Sequence, residues 1–164
     1  MAQVLTVFIL LIVAAVFVYS TDYLQRRSIL TGEYYVLGLF ATLGAMVLTS
    51  AGSLITLYLG LELMSLCLYA MVAFDRESGV AAESAIKYFV LGSMASGTLL
   101  YGMSIVYGMT GSLEIAAIAD AVRDGLGGNI GLVFGIAFLI VGIGFKFGAV
   151  PFHMWIPDVY EGSP

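Results

Sequence analysis

From Tyr34 to Phe74 the chain carries a single charged side chain, Glu62. A run of roughly 40 residues is about twice the ~20 that one helix needs to cross a bilayer. It predicts two spans divided at the small polar turn Thr49-Ser50-Ala51-Gly52-Ser53. Further apolar runs at about 4–19, 80–109 and 129–154 predict three more spans. Composition agrees: the chain is 61% hydrophobic and 10% charged, with a mean hydropathy of +1.04. Lipid is the solvent for most of it. The expected fold class is an all-α integral membrane protein of about five transmembrane helices plus one interfacial helix.

That interfacial helix is read at about 112–125. Ser112 can cap it and Gly125 can stop it, while Ile115, Ile118, Ala119 and Val122 form an apolar stripe opposite Glu114, Asp120 and Arg123. It is too short to span and is expected to lie in the interface. Gly127-Gly128 makes a hinge into the last span. At the N-terminus, Met1-Ala2-Gln3 carries no basic residue and the apolar run is followed by Arg26 and Arg27, so residues 4–19 read as a span and not as a cleaved leader. With alternating helices, Arg26, Arg27 and Arg76 fall on one side and Arg123 on the other, which favours the first side as cytoplasmic. The lone Cys67 cannot form an internal disulfide, no Cys/His cluster has metal-ligand spacing, and a net charge of -5 gives no nucleic-acid footprint.

Charges inside the apolar runs carry the chemistry. A lysine at a helix centre costs about 2.5–3.5 kcal/mol on insertion scales, so such residues face a bundle interior or a water-filled cavity. Lys146 and the only histidine, His153, lie seven positions apart in the last run, which on a continuous helix places them on one face about two turns apart. Pro151 stands between them. It offers no N–H to the carbonyl of Phe147, so the helix is expected to kink or open there, loosened further by Gly142, Gly144 and Gly148. Broken helices beside a charge are a mark of ion-handling transporters.

Glu62 sits on a narrow polar stripe with Tyr58, Ser65 and Tyr69, whose hydroxyls can serve the carboxylate or give water a path. The alternative is a polar face used only for helix packing. Lys87 lies about two turns inside the fourth span and either belongs to the buried set or snorkels to the interface. Gly92, Ser93, Ser96 and Gly97 have the small-residue spacing that lets helices approach closely. Glu62 is the one deep carboxylate available to Lys146. At an effective dielectric of about 20, such a pair gains about 3.3 kcal/mol at about 5 Å and half that at twice the distance. The difference is roughly a tenfold change in protonation, so small helix motions could load and unload a proton. His153 suits a relay from the lysine to water, or an interface site bonded to backbone. Trp155 reads as an interface anchor, and Asp158 and Glu161 as loop carboxylates near the exit.

Three stretches, LYLGLELMSLCLYAMVA around Glu62, ESAIKYFVLGSMASGTLLYGM around Lys87 and GFKFGAVPFHMWIPDVYEGSP around Lys146, resemble the subunit N family (subunit 2 in organelles) of respiratory complex I, the proton-translocating NADH:quinone oxidoreductase. The resemblance runs from about Tyr34 to Pro164. It implies an antiporter-like membrane-arm subunit, related to cation/proton antiporters, that moves protons as NADH is oxidised and quinone reduced in the peripheral arm. It further implies that Glu62 and Lys146 form the ion pair of a half-channel and that Lys87 and His153 lie on the same proton path. The family fold holds two inverted five-helix repeats with a broken helix at Lys146. On this basis residues 1–33 are a first transmembrane helix and cytoplasmic loop, and 34–164 part of the first repeat. Family members are roughly three times as long, so the chain is expected to be a part of one.

The resemblance places NADH, FMN, iron-sulfur clusters and quinone in other subunits, with no redox centre and no cofactor in this chain. It implies other membrane-arm subunits, the lipid bilayer and protons as partners, and no nucleic acid. The expected location is the bacterial cytoplasmic membrane. Rival expectations are a component of a stand-alone multi-subunit cation/proton antiporter, and a structural spacer whose Glu62 and Lys146 form a static pair.

Overall fold

The computed structural model describes residues 2–164, and among these it is all helix apart from turns, one 3-10 turn and one isolated bridge. Four helices are long and apolar enough to cross a membrane: α1 (Ala2–Arg26), α2 (Gly32–Thr49), α3 (Leu54–Val72) and α4 (Gly79–Thr110). A short amphipathic helix α5 (Ile115–Arg123) leads through a 3-10 turn, Leu126–Gly128, into α6 (Ile130–Lys146), which is apolar but shorter. The chain ends in α7 (Trp155–Gly162). Large side chains such as Leu11, Phe40, Met94 and, on α6, Phe134 stand exposed along the apolar helices, as a lipid-facing surface requires.

Helix α1 runs a full turn and more past the expected end at Tyr19. Ser20 and Thr21 do not break it, because their hydroxyls donate back to the carbonyls of Val16 at 2.6 Å and Phe17 at 2.8 Å instead of competing for the chain's direction. The turn at 50–53 forms where the small polar residues predict it, with Ser53 capping α3 by accepting from Thr56 N. In α5 the cap position falls to Glu114, and Ser112 instead accepts from Glu114 N at 3.1 Å. Gly125, at φ 114, stops the helix as expected.

The last expected span is broken, as the proline predicts, but the break is wider than a kink and corrects the bounds 129–154: α6 ends at Lys146, and the chain resumes as α7 only at Trp155. Two causes act together. Pro151 leaves the carbonyl of Phe147 without its helical donor, and Gly148 takes φ 62, a left-handed conformation open to glycine. Gly148 N then donates to Phe145 O at 2.9 Å and Ala149 N to Gly144 O at 2.9 Å, the paired bonds of a Schellman stop. The break thus begins four residues before the proline. Both halves run antiparallel along α4: α6 packs Gly135 and Gly142 against Gly102 and Leu99, and α7 packs Gly162 against Ser84.

Close helix crossings are made by glycines. A Cβ on Gly60 of α3 would stand 2.7 Å from Leu48 N and 2.9 Å from Gly44 O of α2, and one on Gly142 would come within 2.8 Å of Leu99 Cβ. Leu61, Leu99 and Met103 form the core between these crossings, with Leu99 at 0% exposure. At one end of the bundle the first turn of α2 and the α3–α4 loop meet through Glu33 and Arg76 at 2.7 Å. At the other, the α2–α3 and α4–α5 loops are tied by Leu54 N to Leu113 O at 2.9 Å and Ile115 N to Gly52 O at 3.0 Å. Arg27 and Arg76 therefore line one end and Arg123 closes α5 at the other, the arrangement that alternating spans require.

Candidate functional site

The stop after α6 makes Lys146 the last residue of that helix, where the negative end of the helix dipole favours a cation. Its side chain reaches α3. Nζ donates to Glu62 Oε1 at 3.3 Å, to Ser65 Oγ at 3.1 Å and to Tyr69 OH at 3.2 Å, and lies 5.7 Å from the Tyr69 ring centroid. The lysine and glutamate side chains are only 10% and 19% exposed. Ser65 and Tyr69, one and two turns from Glu62 on the same face, are buried. The stripe read from the sequence is real, but its hydroxyls serve the lysine more than the carboxylate.

Glu62 has a second partner of its own. Ser96 Oγ of α4 lies 2.5 Å from the same Oε1 and 3.0 Å from Gly92 O, and its one proton is shared between the two acceptors. Ser96 reads in the sequence as a small packing residue, since spacing reveals a shared face and not what stands opposite it. Gly92 is required where it stands, because a Cβ there would run into the Tyr69 hydroxyl. A Cβ on Gly97 would meet open space, and Ser93 is exposed and bonds only Phe89 O, so that half of the small-residue stripe makes no close crossing. Tyr58, the fourth member of the polar stripe, packs instead against the Leu61, Leu99 and Met103 core.

The structure does not gather every expected residue. Lys87 lies outside the Lys146 cluster in an exposed triad, 2.9 Å from Glu83 of its own helix and 2.9 Å from Asp158 of α7. The Glu83 partner is visible in the sequence as an i,i+4 pair; Asp158 is not, because it depends on α7. His153 lies in the break with an exposed side chain and no side-chain hydrogen bond among the described residues. It shares no helical face with Lys146, because no helix joins them. Pro151 sits in that same irregular segment. Trp155 is not a simple surface anchor. Its ring stacks on Tyr88 at 4.6 Å between centroids and 9° between planes, and Tyr88 meets Tyr69 edge-on at 4.5 Å. Among the described residues no cluster of His, Cys, Asp and Glu has the grouping of a metal site.

A cavity of about 350 Å³ reaches Lys146, bounded by Leu57, Leu61, Ser65, Tyr88, Ile143 and Phe147 among others. It is apolar except at the lysine end, where Lys146, Ser65 and Tyr88 supply the polar groups that a water there would need.

The family described as NADH:quinone oxidoreductase/Mrp antiporter, transmembrane, matches residues 51–164. NADH-quinone oxidoreductase subunit N of Thioalkalivibrio sulfidiphilus is 60% identical across 100% of this chain, which covers 34% of that protein. The subunit of the same name from Nitrosomonas europaea is 56% identical, again over 100% of this chain and 34% of its own length. The chain spans about a third of the length of these relatives, and the likeness includes the N-terminal helix. Among solved structures, a chain of respiratory complex I from Thermus thermophilus is 40% identical with a TM-score of 0.72, over 82% of this chain and 29% of that one. A chain of an archaeal membrane-bound sulfane sulfur reductase is 32% identical with a TM-score of 0.74, over 80% of this chain and 26% of that one. With the matched region covering all the residues that touch Lys146, the chain belongs to the NADH:quinone oxidoreductase/Mrp antiporter transmembrane family.

Proposed function

We propose that this chain is part of a proton-translocating, antiporter-like membrane-arm subunit of NADH:quinone oxidoreductase, in which Glu62 sets how firmly Lys146 holds a proton. The observation that carries the reading is the 3.3 Å contact between Lys146 Nζ and Glu62 Oε1, made between two membrane helices and largely closed to solvent. Each partner has a place to go when the contact lengthens. Glu62 keeps the Ser96 hydroxyl, and Lys146 keeps Ser65 and Tyr69. At an effective dielectric of about 20, doubling the separation from 3.3 Å removes about 2.5 kcal/mol of attraction, close to a hundredfold in protonation. A slide of the lysine along α3 toward Tyr69 by about the width of one atom, which keeps both hydroxyls in reach, is then enough to bind or release a proton, and the cavity beside Lys146 is the space a delivering water would have to enter.

Lys87 and His153 belong to the same path on this reading, Lys87 at the α4–α7 contact and His153 at the break, open to water. Electron transfer, with its NADH, FMN, iron-sulfur and quinone chemistry, is assigned to other subunits of the complex, and the host to a bacterial cytoplasmic membrane. The test is proton pumping against NADH oxidation in vesicles carrying the full-length protein, with Glu62→Ala and Lys146→Ala compared to the parent at matched assembly. Loss of pumping with the complex intact is expected; normal pumping in both would reduce the pair to architecture, the spacer reading.

The likeness to a chain of a different respiratory complex favours a second reading, a cation/proton exchange module used with more than one electron-transfer partner. It requires sodium-dependent proton exchange in the same vesicles without NADH.

A further inference from the structure

Helix α7 is fixed to α4 at several points along its length. Asp158 pairs with Lys87 at 2.9 Å, the Asp158 carbonyl accepts from Ser84 Oγ at 2.9 Å, and Val159 is buried against Val72 and Ala85. Trp155 is the first residue of this seated helix. From there its indole Nε1 donates to the carbonyl of Phe145 at 3.2 Å, and its ring packs on the Phe145 ring at 5.6 Å. Phe145 immediately precedes Lys146, in the last turn of α6, and its carbonyl also accepts from Gly148 N at 2.9 Å, so the indole occupies its second lone pair. A second chain of contacts leads to the same ammonium, from Trp155 through Tyr88 and Tyr69 to Lys146 Nζ.

We propose that Trp155 is a positioning residue for Lys146: anchored by α7 and stacked on Tyr88, it clamps the Phe145 carbonyl and so fixes the end of α6 from which the lysine departs. The inference rests on the proton-path reading for its functional consequence, but the placement itself can be measured apart from pumping.

The titratable and charged groups that face the lysine are Glu62 and Tyr69 from α3, with Tyr88 of α4 at the adjoining cavity wall. Trp155 is none of these and can act only through geometry.

The experiment uses the full-length protein in its assembled complex in vesicles. Trp155→Phe keeps an aromatic ring on Tyr88 and removes the N–H, whereas Trp155→Ala removes both. Lysines are labelled by reductive methylation with formaldehyde and read by mass spectrometry. The measure is Lys146 labelling relative to Lys87, whose side chain is 46% exposed against 10% for Lys146. At unchanged melting temperature, Trp155→Phe should raise this ratio about two- to tenfold, the range set by one lost hydrogen bond. Trp155→Ala should raise it further, and pumping per NADH should fall in the same order. An unchanged ratio in an assembled Trp155→Phe complex overturns the proposal. A raised ratio, in a complex whose Lys146→Ala variant pumps normally, upholds the positioning role and overturns the proton-path reading instead.

Discussion

A double-mutant cycle on Glu62 and Lys146 tests the site most directly. Glu62→Gln keeps a carbonyl oxygen for Ser96 and removes the charge, and Lys146→Met keeps most of the lysine's volume and removes all three of its donated bonds. At 3.3 Å and an effective dielectric of about 20, the gross attraction lost is about 5 kcal/mol. Desolvation of the two groups offsets much of this, but either single variant leaves the other charge without a counter-ion, a change that costs about 3–5 kcal/mol in enclosed sites. The double variant leaves no unpaired charge. Its loss should therefore fall short of the sum of the singles by about 2–3 kcal/mol, the upper part of the range for residues in direct contact. The assay is reversible unfolding of the full-length protein in lipid, with pumping measured on the same preparations. Losses that add to within about 0.5 kcal/mol would refute the reasoning, because independent charges are not a pair. Pumping adds a second axis. Recovery of stability without recovery of pumping fits a charge pair that works, and recovery of both would make it scaffolding.

Other substitutions follow from the contacts around the pair. Gly92→Ala places a methyl group against the Tyr69 hydroxyl, and overpacking of this kind costs about 1–3 kcal/mol; thermal melting should show the loss, and a Tyr69→Phe background should reduce it. Gly148→Ala puts a side chain at φ 62 and against Ile156, so the melting temperature should fall as the α6 stop is strained by about 1–2 kcal/mol. Leu99→Ala empties a position at 0% exposure in the contact between α4 and α6 and should cost about 2–5 kcal/mol in the same measurement. Asp158→Asn breaks an exposed pair and leaves the Ser84 bond to the backbone, so melting should barely move at physiological salt.

The legible part of this fold follows from cost. A charge in an apolar run has few ways to be stable in lipid, so Glu62 and Lys146 stand out in the sequence as each other's natural counter-ions, and the bundle joins them. The span count follows from the lengths of the runs. What spacing cannot supply is the identity of groups facing one another across helices. Ser96 lies on the face of Gly92, which marks it as interfacial, but only the seat of α3 makes it the partner of Glu62. Tyr58 shares the polar stripe by periodicity and still packs with leucines, because its level on α3 lies a turn away from the lysine.

The expected tie between Lys146 and His153 fails for a reason already present in the chain. A seven-residue spacing defines a common face only while the helix lasts, and the same stretch contains the residues that end it. Pro151 acts on the carbonyl four positions back, and Gly148 supplies the left-handed turn that closes the helix at Lys146. The bond lost to the proline falls at Phe147, and a kink there would still leave both residues on one bent helix. The left-handed turn at Gly148 makes it a full stop instead, with the lysine at the helix end beside carbonyls that take their donors from Gly148 and Ala149, and the following residues re-form a helix elsewhere. That second helix, α7, is what brings Trp155 to Phe145 and Asp158 to Lys87. The break is therefore the step that connects the charge inside the bundle to the ionic contacts at its edge, and it makes the position of Lys146 depend on how α7 is held.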